Sequence, residues 1–130
     1  MPNRCRIPPR SPFEEEIGFT RAIRVGNRIL CSGITAVMPD GSIPADAGAQ
    51  ADRCFAEILS YIEELGGAAT DVVRVRMFVT DIADADAVSA AFTRAMKPAR
   101  PTGTLVAVAA LYRPEWKVEI EAEAVVEEVS

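Results

Sequence analysis

The chain has 130 residues, with 14 Lys plus Arg against 19 Asp plus Glu, a net charge of −5 and no histidine. Its length is that of one domain, and 49% hydrophobic with 25% charged residues is a globular composition that excludes disordered, collagenous and low-complexity chains. An acidic balance argues against nucleic acid and anionic membranes as partners. The absence of His removes the commonest general base, the His-paired nucleophiles and most zinc sites. Any chemistry must run on carboxylates, thiols, hydroxyls, guanidiniums, backbone groups or water.

In chain order, residues 1–16 carry Pro2, Pro8, Pro9 and Pro12 and read as an extended arm. They lack the apolar core of a signal peptide. Thr20–Arg28 and Ile29–Ala36 alternate as two strands around Gly26-Asn27, a two-residue hairpin signal. Pro39-Asp40-Gly41-Ser42 is a turn. The spacing of Phe55, Ile58, Leu59, Ile62 and Leu65 predicts a helix from about Asp46 to Leu65, with Asp46 as N-cap and Gly66-Gly67 as its stop. Val72–Val79 alternates as a strand with Arg74 and Arg76 on one face. A second helix is expected from Asp84 to Met96, ended by Pro98.

Thr104–Leu111 is apolar throughout, which predicts a central or doubly covered strand. Lys117–Val126 alternates again, with Val118, Ile120, Ala122 and Ala124 on one face and Glu119, Glu121 and Glu123 on the other. No run approaches the roughly 20 apolar residues of a membrane helix. Cys5, Cys31 and Cys54 are odd in number and widely spaced, so neither a disulfide framework nor a metal site is expected. Free thiols suit a reducing cytosol, and the expectation is a cytoplasmic, single-domain protein over residues 1–130.

The expected architecture is α+β, in the order ββαβαββ. Right-handed crossovers put both helices on one face of one mixed sheet. The opposite face then carries Arg74, Arg76, Phe78 and the glutamate row. That face is too mixed for a core and too apolar to be left bare, which points to burial against further copies of the chain. The glutamate row is either a face neutralised by Arg74 and Arg76 or the source of one working carboxylate. Ser32-Gly33, at a strand end, is either a bend or a place where a ligand approaches the backbone closely. Tyr112 and Trp116 flank the last turn and are expected to pack or plug an interface. Gly26 and Gly33 form no phosphate-loop pattern.

Several segments carry a resemblance: Ile17-Gly18-Phe19, Val25-Gly26-Asn27-Arg28, Cys31-Ser32-Gly33, Asp71-Val72-Val73, Met77-Phe78-Val79-Thr80-Asp81, Arg100-Pro101, Val106–Leu111 and Val118–Ala122. In this order and spacing the chain resembles the YjgF/Rid proteins, reactive-intermediate deaminases also labelled endoribonuclease L-PSP, over about residues 13–128. The resemblance implies a chorismate-mutase-like fold assembled as a homotrimer, with a small metabolite held in clefts between subunits. It also implies hydrolysis of an imine or enamine, such as 2-iminopropanoate, to a 2-oxo acid and ammonia without metal or organic cofactor.

The same resemblance implies that Glu119 holds the attacking water. It places Phe19, Ser32, Gly33, Gly103, Thr104 and Leu105 against substrate. Two positions depart from the family pattern. Gly103 stands where active members carry the Arg that grips the substrate carboxylate, and Phe19 stands where they carry Tyr. A non-standard substrate is therefore expected, or alternatively a metabolite-binding trimer without catalysis. Arg100 reaches the cleft only if its loop folds back. A ribonuclease reading finds no histidine and no basic patch to support it.

Overall fold

The computed structural model describes residues 3–127. One six-stranded sheet runs in the order β1-β2-β3-β6-β4-β5, from strands Arg4–Arg6 (β1), Ala22–Val25 (β2), Arg28–Thr35 (β3), Val72–Val79 (β4), Thr102–Ala107 (β5) and Val118–Val125 (β6). Only β4 and β5 are parallel. Helices Ala47–Glu64 (α2) and Ala85–Met96 (α3) pack on each other, and α2 lies on β3 and β6. The fold is thus α+β with two helices covering one sheet face, as expected.

The local causes are those visible in the sequence. The β2–β3 hairpin turns at Gly26, which supplies the required positive φ of 60°, and pairs Val25 with Arg28. The Asp46 carboxylate accepts from the Ala49 amide at 2.7 Å and caps α2. Gly66, at φ 89°, ends it. The apolar stripe of α2 buries Phe55, Ile58 and Ile62 against Ile29, Ile34, Val75 and Ile120 of the sheet. Phe92 of α3 meets Phe55 edge to face at 6.2 Å between centroids.

Two expectations need correction. The arm is not merely extended, because Arg4–Arg6 adds a sixth strand beside β2 and Pro12–Ile17 forms a short helix (α1), so the order is βαββαβαββ. A proline at the start of a helix costs no hydrogen bond, so a Pro-rich arm can still open one. The apolar segment after Pro101 is not a central strand. It forms β5 over Thr102–Ala107 at the sheet edge, and its residues are mostly exposed in the single chain. Tyr112 is also exposed, whereas Trp116 is half-buried and donates its indole N–H to the Ala36 carbonyl.

One interaction had no sequence signal. Gln50, on α2, is fully buried. Its amide donates to the carbonyls of Pro44 and Glu115 at 2.8 and 2.9 Å, and its oxygen accepts from the Lys117 amide at 2.8 Å. It ties the helix start to the turn that leads into β6. Gln50→Ala leaves three part-buried backbone groups without their partner, and urea unfolding is expected to show a loss of roughly 1–3 kcal/mol with little change in m-value. A loss below about 0.5 kcal/mol would show that water replaces the side chain.

Candidate functional site

Strand β6 lies between β3 and β4, and its alternation sends Val118, Ile120, Ala122 and Ala124 into the core. Glu119, Glu121 and Glu123 therefore point away from the helices, on the uncovered face. Neighbouring strands distinguish the three. Glu121 faces Arg76 across the β4–β6 pair and forms an ion pair at 3.0 Å. Glu123 pairs with Arg28 of β3 at 3.1 Å. Glu119 stands opposite Phe78 on one side and Thr35 on the other, and has no cationic partner among the described residues.

The consequence is electrostatic. Glu119 is half-buried, and its pKa is raised by desolvation first and by the neighbouring Glu121 charge second. The expected pairing of Arg74 and Arg76 with the row thus holds for Arg76. Arg74 sits in register with Glu123, just after a bulge at Val72–Arg74, and is exposed without an ion pair among the described residues.

Gly33 explains why Glu119 fits where it does. The β3–β6 ladder slips between Cys31 and Ile34, so Ser32 and Gly33 form a bulge beside Glu119. A Cβ at Gly33 would collide with the Glu119 carboxylate, its nearest neighbour. The glycine is needed for space, not for a special φ. Ser32 is held from the other side: its hydroxyl donates to the Thr20 carbonyl at 2.6 Å and its amide to the Arg21 carbonyl at 2.8 Å. The Ser32 hydroxyl thus anchors the segment that carries Phe19. Phe19 follows Gly18, the left-handed cap of α1, and is 43% exposed.

The segment that starts at α1 is fixed by Glu14, which is buried. Burial alone would raise its pKa, but bonds from the Arg21 guanidinium, the Arg10 amide and the Ser11 hydroxyl outweigh it and hold the carboxyl below its usual range. Sequence reasoning did not find Glu14, because a glutamate in a Pro- and Glu-rich arm reads as solvated.

The second group of expected site residues lies elsewhere. Phe78 pairs with both Glu119 and Val106, so Val106 is two strands from Glu119, about 10 Å away. Gly103 is three residues further along β5, another 10 Å or so, which puts it roughly 14 Å from Glu119. Its facing is also opposite: a Cβ at Gly103 would lie 3.4 Å from the Phe92 ring, on the helix side. Leu105 packs toward the same core, and Thr104, beside Arg76, is exposed. One chain therefore sets Ser32 and Gly33 beside Glu119, carries Phe19 on the segment that Ser32 anchors, and leaves Gly103, Thr104 and Leu105 apart from them.

Arg100 lies where the chain leaves α3. It adopts a left-handed φ of 50°, its amide bonds the Met96 carbonyl at 3.0 Å, and it lines a hollow with Phe92 and Lys97. Arg100 thus sits at the end of α3 on the helix side, in the hollow beside the ring that a Gly103 side chain would meet. Glycine is the usual residue in that cap position, so an arginine there carries a conformational cost.

The space around Gly33 yields a stability test. Gly33→Ala is expected to push the Glu119 carboxylate aside and destabilise the chain by roughly 1 kcal/mol in urea unfolding. In a Glu119→Ala background the same change should cost less than about 0.5 kcal/mol. Additive costs would mean that the two residues do not share the space described.

The chain was compared with known proteins. The family profile described as Endoribonuclease L-PSP matches residues 11–126. A RutC family protein of Haemophilus influenzae is 38% identical over 112 residues, covering 82% of this chain and 85% of that one. The 2-iminobutanoate/2-iminopropanoate deaminase of Escherichia coli K12 is 34% identical over 111 residues, covering 82% and 86%. Among solved structures, Rv2704 of Mycobacterium tuberculosis, from the YjgF/YER057c/UK114 family, superposes with a TM-score of 0.87 at 33% identity, over 95% of this chain and 99% of that one. The YjgF gene product of E. coli superposes with a TM-score of 0.76 at 34% identity, over 84% and 89%. With its sheet order, its two helices and the matched span all in agreement, the chain belongs to the YjgF/Rid family, the family of the Endoribonuclease L-PSP profile.

Proposed function

We propose that the protein hydrolyses a small imine or enamine intermediate to a carbonyl compound and ammonia, in a cleft shared between copies of the chain. The observation that carries this is Glu119, the one glutamate of the row left without an arginine among the described residues, half-dry and seated in the space that Gly33 leaves for it. A carboxylate with a raised pKa is, when ionised, a stronger base than a solvated one. In the reaction, Glu119 accepts a proton from water while the water oxygen bonds to the imine carbon. The imine nitrogen enters protonated, so a neutral carbinolamine results. Glu119 returns its proton to that nitrogen, the C–N bond breaks as the hydroxyl proton passes back to the Glu119 carboxylate or to water, and the carbonyl product and ammonia leave. The relative named as a 2-iminobutanoate/2-iminopropanoate deaminase supports this reaction class.

The shared cleft follows from distance. Glu119 and Gly103 lie about 14 Å apart and face opposite ways, so a site using both needs two chains. The exposed β5 edge and the mixed open face supply surface for such an assembly, and a homotrimer is the reading that fits the family resemblance. Buried Cys31, its thiol pushed up to about 12 by desolvation, and the absence of disulfides among the described cysteines suit a reducing cytoplasm. No helix among the described residues is long and apolar enough to cross a membrane.

Gly103 sets the substrate. It offers no cation at the position where the family's active members carry one, which favours an imine other than a simple 2-imino acid. Arg100, in the hollow beside Phe92, is a candidate for a replacement charge. A metabolite-binding trimer without turnover is the second reading, favoured by the same missing guanidinium and by the missing hydroxyl at Phe19.

Keto-acid release from 2-iminopropanoate generated in situ tests the proposal. Wild-type turnover is expected to be slow, and to fall further as pH drops through the raised Glu119 pKa, because only the ionised form accepts the proton. Glu119→Gln should lower it by roughly 10²–10⁴-fold. Gly103→Arg should raise it by roughly ten- to hundredfold, through a charge-assisted pair with the substrate carboxylate. Undiminished turnover in Glu119→Gln would overturn the reaction. No turnover in either the wild type or Gly103→Arg would favour the binding reading.

A further inference from the structure

A second hollow, of about 540 Å³, lies between the N-terminal arm, the outer side of α2 and the turn before β6, and Glu119 does not line it. Its volume is in the range of small-ligand sites. The notable feature is its charge. In a chain of net charge −5, four guanidiniums, those of Arg10, Arg21, Arg53 and Arg113, line this one space.

The four have different duties. Arg21 and Arg53 form the floor. Arg21 bonds the buried Glu14 and lies 3.9 Å from Glu57. Arg53 pairs with Glu57 at 3.1 Å and also donates to the Val37 carbonyl. The Tyr61 hydroxyl completes Glu57 at 2.8 Å. Two carboxylates and two guanidiniums thus neutralise one another and make a stiff base.

Arg10, on the arm, and Arg113, in the turn before β6, both line the groove, and each lies over an aromatic ring. The Arg10 guanidinium is 5.6 Å from the Tyr61 centroid and that of Arg113 is 5.4 Å from the Trp116 centroid. Their only acidic partners among the described residues are Glu64 and Glu115, in ion pairs whose side chains are 41–52% exposed. Exposed pairs of this kind contribute little and are readily exchanged for a better anion. Stacking on a ring fixes the plane of the guanidinium, so less rotamer freedom is lost when its fork meets a ligand. Each fork has five N–H donors and uses few of them here.

We propose that this groove is a second binding site, for a small molecule with two anionic groups, a dicarboxylate or a diphosphate, held between Arg10 and Arg113. The two anionic groups reach one to each guanidinium, and the neutral floor neither repels the ligand nor competes for it. Glu119 itself does not line the groove, although Thr35, its cross-strand neighbour, does.

Trp116 is the only tryptophan of the chain and lies under Arg113, so its fluorescence reports occupancy directly. The full chain is titrated with inorganic pyrophosphate and, separately, with succinate, at constant ionic strength. At least one should give a saturable change with half-saturation below about 1 mM; which one does identifies the ligand class. Arg113→Gln and Arg10→Gln should each weaken binding by roughly tenfold or more, and Glu119→Gln should leave it unchanged. Arg10→Gln is decisive because Arg10 does not touch the indole. Arg113→Lys, which keeps the charge and loses the fork, should bind as weakly as Arg113→Gln. Absence of saturation by both anions up to about 10 mM, or equal affinity in wild type and Arg10→Gln at matched thermal midpoints, would overturn the proposal.

Discussion

A strand in the middle of a sheet cannot choose where its side chains go. Both of its edges are bonded, so alternate residues must enter the core and the rest must leave it on the other side. In β6 this constraint commits four apolar residues to the layer under α2 and three glutamates to the face that no helix covers. A slip of one residue would bury the carboxylates and expose the core. Glu119 is therefore held in place by the whole sheet rather than by bonds of its own. Its raised pKa means that the fold loses stability as pH rises through the ordinary carboxylate range toward the folded value, so an ionised Glu119 is a standing cost to the fold. Carboxylates kept at such a cost are candidates for chemistry.

The rest of the site is arranged around that carboxylate. The β3 bulge brings Gly33 alongside and leaves room for the side chain. Ser32 ties the bulge to Thr20, and Glu14 with Arg21 ties that segment to α1. Gln50 fixes the turn from which β6 starts. Glu14 and Gln50 are both buried polar side chains with full sets of partners. Such groups position backbone accurately because any displacement leaves a donor or acceptor unmet.

Much of this arrangement was legible in the sequence. The hairpin at Gly26-Asn27, the stripe of α2 and the alternation of β6 rest on local periodicity and turn chemistry, and the structure has them with boundaries shifted by a few residues. Where the sequence misled, the missing information was non-local. An apolar run like that after Pro101 reads as central whether its cover comes from its own chain or from elsewhere, and in the single chain it is an edge. Arm residues Arg4–Arg6 become a strand only because β2 offers a free edge. Gln50 reads as an ordinary polar helix residue until its three backbone partners are seen. The glutamates are equivalent along the strand, and only the cross-strand neighbours Arg76 and Arg28 distinguish Glu119 from the other two.

The central claim is that Glu119 is a partly desolvated carboxylate without a cationic partner. It is tested most directly by following its side-chain carboxyl carbon through a pH titration in the intact protein by NMR, assigned against Glu119→Gln. A midpoint clearly above the ordinary glutamate value of about 4.3 is predicted. A midpoint at or below that value would mean that water or a cation already satisfies Glu119, and would contradict the account.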